Sequence, residues 1–350
     1  MLTRFIDKFI QRVAFVIMLC MMMAACSDSD DDAVGTEDVS VAFTLTVADA
    51  TATRAENDGW DDYSPAQDGI LNENLVNTDD IIIAIYDDKG NKVDNVEDLR
   101  VTAVSDPSIT GATVYAITGV WKNAKPNVDK AKRIMVIANS NATTWGDPSA
   151  LTYDLNPGTR KYIPMWGVVK IPATLTLGKQ NQLHNIQMLR AMAKVSVSLR
   201  TDMTKYGYAI GSMTVNNYNT RGYCVPKTFN EVDNTSEVRF ANSLNVLDSH
   251  ADKIALPTTA PLYLPEYDNS GTNPTTITVN LNRNGTFEGS YTLEFRNYDS
   301  DGKPTGSTYP IQRNHYYQYW IYKEKGKMIV TLHVRKWNRR IYPETDGIIM

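Results

Sequence analysis

Between Val39 and Val47 every odd-numbered residue is apolar (Val39, Val41, Phe43, Leu45, Val47) and every even one is small or hydroxylated. Alternation with a period of two over nine residues predicts a strand with one buried face. The same reading predicts strands over Asp80 to Tyr86, Thr113 to Val120, Arg133 to Asn139, Met192 to Leu199, Ile277 to Arg283, Thr286 to Arg296, His315 to Tyr322 and Lys327 to Trp337. Lys89-Gly90-Asn91, Asn284-Gly285, Asp301-Gly302 and Lys325-Gly326 supply the turn chemistry between them. No amphipathic helix longer than three turns is predicted. Leu183 to Ala193 has helical composition, but the alternation Val195-Ser196-Val197-Ser198-Leu199 beyond it reads as one strand entered through a loop. The polar stretches from Glu56 to Asn77 and from Thr220 to Thr259 read as long surface loops.

An all-β chain of this length exceeds one sandwich, and two domains of about 140 to 170 residues are expected. Gly178 to Gln182 is the best boundary, which gives domains over 39–180 and 181–350. The first thirty-eight residues are different in kind. Arg4, Lys8 and Arg12 precede an unbroken apolar run from Val13 to Ala25, too short for a spanning helix of about twenty residues and shaped like a signal peptide over 1–25. Met23-Ala24-Ala25-Cys26 resembles the bacterial lipobox, in which the cysteine is acylated; an ordinary signal peptidase site is the alternative. Two acyl chains hold a protein to a membrane where one does not.

Charge sharpens the division. The chain carries a formal −5, its first twenty-five residues contribute three bases and one acid, and the spacer from Cys26 to Asp38 holds six acids and no base, so residues 39–350 sum to only −1. A nearly neutral body without a basic stripe excludes nucleic acid as a partner on electrostatic grounds. Hydrophobic residues make up 42% and charged residues 21%, which excludes disordered, collagenous and coiled-coil classes. With Cys20 inside the leader and Cys26 at its end, Cys224 stands alone, so no disulfide framework is available. A small packed side chain is its expected role.

A search for chemistry finds no nucleophile elbow, no HExxH, no Walker loop and no dinucleotide fingerprint. His184, His250, His315 and His333 are too widely spaced for a zinc signature, so no metal and no cofactor are expected. Asp87-Asp88-Lys89-Gly90 and Asp299-Ser300-Asp301-Gly302 read as turns, because the downstream glutamate of a calcium loop is missing. The run His315 to Tyr322 is denser in aromatics than any other. In a strand it places Tyr316, Gln318, Trp320 and Tyr322 on one face and His315, Tyr317, Tyr319 and Ile321 on the other. Packing in a core is one reading; a glycan-binding surface using Tyr317 and Tyr319 is the other.

The first strand is followed by a small, polar tract, Ala48 to Glu56, that a protease would enter readily. Cleavage after Arg54 and loss of Val39 to Val47 would leave an apolar groove and an unpaired sheet edge, which an extended segment of another copy could fill by strand addition. The alternative is an arginine in an ordinary linker.

Across nearly its whole length the chain resembles the fimbrillin family of the Bacteroidales, the lipoprotein-derived subunits of type V pili. The resemblance is carried by the lipobox with its acidic spacer, Ile83 to Gly90, Met135 to Asn139, Ile163 to Gly167, Leu189 to Val195, Pro261 to Glu266, Arg313 to Tyr317 and Val334 to Trp337, in that order. Trp166 departs from the small residue the family commonly has in its Pro-Met-x-Gly segment. The resemblance implies two tandem transthyretin-like β-sandwich domains and no enzymatic activity. It implies lipidation at Cys26, residence at the outer membrane surface, and cutting of the Arg54–Ala55 bond by an arginine-specific surface protease. It also implies loss of the strand carrying Val39, Val41, Phe43, Leu45 and Val47, and a donor strand for the neighbouring subunit drawn from Met328 to Met350. Within that donor, Met328, Val330, Leu332 and Val334 alternate well, whereas Asn338-Arg339-Arg340 interrupts and Pro343 cannot donate to a ladder. The partners so implied are other fimbrillin subunits, the protease, the outer membrane through the lipid before cleavage, and a host or bacterial surface ligand. An anchor or tip subunit of the same pilus, and a surface glycan-binding lipoprotein, are the alternative roles.

Overall fold

The computed structural model describes residues 36–47, 71–105, 113–142, 147, 150–155, 162–171, 174–226, 250–256 and 261–336. They form an all-β protein whose strands run in chain order as β1 (Val39–Val47), β2 (Ile81–Tyr86), β3 (Lys92–Asn95), β4 (Glu97–Ser105), β5 (Thr113–Trp121), β6 (Arg133–Ala138), β7 (Thr152–Asp154), β8 (Met165–Lys170), β9 (Gln180–Gln182), β10 (Ile186–Arg190) and β11 (Met192–Leu199). A short helix, α1 (Thr201–Lys205), leads to β12 (Tyr208–Asn219) and β13 (Arg221–Tyr223). The rest are β14 (His250–Leu256), β15 (Leu262–Pro265), β16 (Thr276–Arg283), β17 (Thr286–Glu294), β18 (Asn297–Tyr298), β19 (Pro304–Thr305), β20 (His315–Glu324) and β21 (Lys327–Lys336).

The strands read from alternation are all present, β1 with the bounds expected of it. Asn284-Gly285 and Lys325-Gly326 close their hairpins with both central residues at positive φ (51° and 82°, 49° and 83°), the mirror-image turn whose twist matches that of paired strands.

The first sheet runs β3-β2-β6-β8-β10-β1-β5-β4, with β9 also paired to β1. It folds over on itself. Ile83, Ile85, Ile134 and Val136 from one half share a buried cluster with Val41, Phe43, Leu45 and Ile117 from the other. Ile82 to Tyr86 are all buried, because the opposite face of β2, β6 and β8 is covered too. Its Ile82, Ala84, Met135, Ile137 and Trp166 belong to a second cluster that continues into the later sheets. This double burial explains why these segments read as apolar runs rather than clean alternations.

The remaining strands make two four-stranded sheets, β15-β11-β20-β21 and β14-β12-β16-β17, with two small pairs, β13-β7 and β18-β19. Val195, Tyr317, Tyr319, Ile321 and Leu332 from one sheet and Val215, Ile277, Val279, Leu281 and Leu293 from the other form their shared core.

Three expectations change. Leu183 to Ala193 is not a plain entry loop: β10 occupies Ile186–Arg190 and, after a bend at Ala191, the chain continues as β11 in a different sheet. Residues 180–190 therefore pair with the first sheet, and the passage from one set of sheets to the next falls at Ala191 instead of at Gly178–Gln182. The surface loops are also less complete than composition suggests. Glu73, Asn74 and Val76 are buried in and beside a 3-10 turn over Leu71–Asn74, Cys224 and Val225 are buried, and β14 lies within the stretch read as loop. Polar composition misled here because the polar groups are paired internally rather than by water.

The pairing is dense near the bend. Glu73 accepts from the Lys194 ammonium at 2.8 Å and from the Tyr263 hydroxyl at 2.5 Å, while the Arg190 guanidinium donates to the Glu73 carbonyl at 3.0 Å and to Asn314 Oδ1 at 2.8 Å. Asn139, at φ 63°, receives Asn77 N–H at 2.7 Å and donates to the carbonyls of Leu75 and Ile163. Nearly dry charges tolerate burial only when paired and hydrogen-bonded in this way.

Candidate functional site: the first strand and its groove

β1 is an interior strand with a partner on each side. Along one edge it pairs antiparallel with β5, from Val39 opposite Trp121 to Leu45 opposite Tyr115. Along the other it runs parallel first to β9, with Ser40 opposite Gln180, and then to β10, with Val47 opposite Met188. The join between β9 and β10 is bridged by Leu183 N–H donating to the Ala42 carbonyl at 2.8 Å. Removing β1 would therefore open a slot with two polar walls, and the expectation of one unpaired edge is corrected to two.

Side chains lock the register. Thr44 Oγ1 donates to Asn185 Oδ1 at 2.8 Å, Asn185 Nδ2 donates to Thr46 Oγ1 at 2.9 Å, and Asn181 Nδ2 donates to the Ser40 carbonyl at 3.1 Å. At the entrance, Asp38 Oδ1 accepts from Asn123 N–H at 2.8 Å and Lys125 pairs with Glu37 at 2.8 Å, an exposed ion pair of small energetic weight.

The floor of the slot is apolar. Val39, Val41, Phe43 and Leu45 are fully buried and Val47 almost so, against Tyr115, Ile117, Trp121, Ile186 and Met188. Burying these five side chains is worth about 7 to 15 kcal/mol in all at the usual 1.5 to 3 kcal/mol apiece, an upper bound because unfolded chains already bury some surface. Tyr115 also accepts from Val76 N–H at 2.9 Å through its hydroxyl, so the β5 wall is tied to the segment that precedes β2.

Cys26, Arg54 and Ala55 lie outside the described residues. The proposed donor residues do not. Met328, Val330, Leu332 and Val334 lie in β21, an edge strand paired over ten residues with β20, and Val330, Leu332 and Val334 are buried in the core of their own sheet. Donation by these residues would compete with that occupation.

The aromatic strand divides as its alternation requires, but its inward face is the one carrying Tyr317 and Tyr319. Both are fully buried and meet the Phe295 ring edge-on at 5.4 and 5.8 Å. Tyr317 donates to the Pro310 carbonyl at 2.6 Å and Tyr319 to the Glu294 carbonyl at 3.0 Å. Burial pushes both phenols up. A glycan platform on Tyr317 and Tyr319 is thereby corrected to core packing. Among the described residues no group of three or more His, Cys, Asp or Glu side chains is placed to hold a metal ion, and no helix is long and apolar enough to cross a membrane.

The residues missing from the sequence reading are the β9–β10 wall with Asn181 and Asn185. Their signal was present: Ile186 and Met188 alternate, but a three-residue strand and a glycine-led polar segment look like a linker when read alone.

Solved structures give the fold a comparison. A candidate cell adhesion protein from Bacteroides uniformis ATCC 8492 superimposes with a TM-score of 0.50 at 13% identity, covering 85% of this chain and 98% of that one. The two chains share a fold. The C-terminally truncated tip fimbrial protein Mfa3 from Porphyromonas gingivalis is similar at a TM-score of 0.49 and 16% identity, over 86% of this chain and 100% of that one. A fimbrial assembly protein from Parabacteroides distasonis ATCC 8503 is similar at 0.46 and 14%, over 84% and 94%. No protein-family model matches the chain, and no curated protein is similar to it in sequence.

Proposed function

We propose that this chain is a surface-exposed, non-catalytic subunit of a fimbrillin-type pilus that contributes to adhesion, and that β1 is an exchangeable strand. The observation that supports this reading is the setting of β1. It is a nine-residue strand with five core side chains, walled on both edges by β5 and β9–β10, and joined to the rest of the fold beyond it through residues 48–70, which contain Arg54. In this account the precursor is lipidated at Cys26 and reaches the outer membrane surface, and an arginine-specific protease cuts Arg54–Ala55. β1 then departs with the lipid, and a segment of a neighbouring subunit fills the slot. Two ready-made ladders give the incoming strand affinity through main-chain hydrogen bonds, and five apolar sites give it register.

Burial of β21 favours a second role within the same pilus. If Met328 to Val334 keep their place in β20's sheet, the donor has to come from residues 337–350, and a subunit unable to supply it would serve as an anchor or a tip. The intact mass and N-terminus of protein recovered from the cell surface separate the roles. A shaft subunit is expected to begin at Ala55 and carry no lipid; a mass that retains acylated Cys26 overturns the shaft reading and supports the anchor.

A further inference from the structure

A strand in the β1 slot meets two kinds of recognition that ask little of its sequence. The main-chain ladders along β5, β9 and β10 hold any extended segment, and the inward sites ask for apolar residues at alternate positions. The outward face, which carries Ser40, Ala42, Thr44 and Thr46, is met differently by the two walls. On one side β5 sets Ala116, which has no polar side chain, opposite Thr44. On the other side stands Asn185.

Asn185 lies in the join between β9 and β10. Leu183 N–H pins that join to the Ala42 carbonyl at 2.8 Å, and Ile186, paired with Leu45, is fully buried, so the residue before it faces outward with the threonines. Its amide uses both ends on them. Oδ1 accepts from Thr44 Oγ1 at 2.8 Å and Nδ2 donates to Thr46 Oγ1 at 2.9 Å, with Thr46 Oγ1 also 3.4 Å from Oδ1. One amide thus spans two hydroxyls on successive outward positions, taking a proton from the first and giving one to the second, a demand that paired hydroxyls meet and aliphatic side chains do not. Asn181 provides the contrast. Its amide bonds the carbonyls of Ser40, Thr176 and Lys179 and the N–H of Thr176, all of them main chain, so it holds a strand without reading its sequence.

We propose that Asn185 is a specificity-determining residue of the slot, selecting a strand with serine or threonine at the two outward positions that Thr44 and Thr46 occupy. The proposal rests on strand exchange at β1 and names the chemistry of the strand that is preferred there. It also ranks the occupants. Between Lys327 and Met350 the serine and threonine residues are Thr331 and Thr345, which no register of an extended segment brings to successive outward positions. A second copy inserting that stretch satisfies one end of the Asn185 amide at most. A strand of a different subunit that carries the paired hydroxyls is therefore favoured over it.

The test uses the full chain cut after Arg54, with a fluorescent peptide of residues 36–48 as the probe and two unlabelled competitors, the same peptide and its Thr44→Val, Thr46→Val form. Valine keeps the branched shape of threonine and removes the hydroxyl. The native peptide is expected to compete about tenfold better, as the loss of two hydrogen bonds of ordinary net strength requires. That advantage is expected to vanish on an Asn185→Ala chain cut in the same way, and the comparison on the parent chain stands by itself if the variant folds poorly. Equal competition by the two peptides on the parent chain overturns the assignment and leaves strand exchange standing, as does an undiminished advantage on a folded Asn185→Ala chain. Failure of the cut chain to capture the fluorescent peptide overturns strand exchange and the assignment with it.

Discussion

Tyr298 shows how single buried side chains set the chain's response to alkali. Its hydroxyl donates to the Glu294 carbonyl, and burial pushes its phenol from the ordinary 10 up to about 12. Tyr263 is raised well above 10 because burial is joined by the Glu73 carboxylate beside it, and burial first, with neighbouring carboxylates and phenols second, drives Tyr317 and Tyr319 upward. For a phenol with a raised folded pKa, the unfolded chain loses its proton first. Stability is therefore fully present below about pH 10 and is lost as pH rises through the range up to 12 and beyond. A series of melting temperatures from about pH 8 to about pH 12 is expected to be flat at first and then fall steeply, with phenolate absorbance appearing together with unfolding. Titration of these phenols near 10 in the intact fold would contradict the burial assigned to them.

At the scale of the element, β1 carries the account. Phe43 is fully buried opposite Ile117, so Phe43→Ala is expected to destabilise the uncut chain by about 3 to 5 kcal/mol in urea unfolding, as large-to-small changes in a closed core do. A loss below about 1 kcal/mol would mean the slot collapses or was never tight. β1 itself was legible in the sequence because one face is wholly apolar and the other small or hydroxylated, and alternation also made β16 and β21 legible as strands. β9, β10 and β14 were not, since strands of three to seven residues between polar loops lack enough periods to outweigh their composition. β8 was hidden differently: buried on both faces, it has no polar face to alternate with. That Val39–Val47 is a strand with one buried face could be read from its pattern, but its interior position could not, because the parallel partner lies some 140 residues away and no local signal encodes that pairing. The aromatic strand taught the opposite lesson. Its two faces were assigned correctly by alternation, yet only the sheet opposite could say which face is inside.

For the whole molecule, the proposed strand exchange draws on the same arrangement that stabilises the folded chain. The first strand is deeply set but covalently joined to the later fold through the segment containing Arg54, while Glu73, Lys194, Arg190 and Asn139 hold the chain beyond that segment fast to both sets of sheets. Cutting the linker would leave that grip in place. The measurement that bears most directly on this account is to cut the purified full chain after Arg54 with an arginine-specific protease and follow it by denaturing gel electrophoresis without heating, alongside mass spectrometry of the released N-terminal peptide that ends at Arg54 and carries β1. The account predicts that the peptide leaves and that denaturant-resistant ladders of the cut chain appear; quantitative cleavage that yields only monomers, with the peptide released and the slot unfilled, would contradict it.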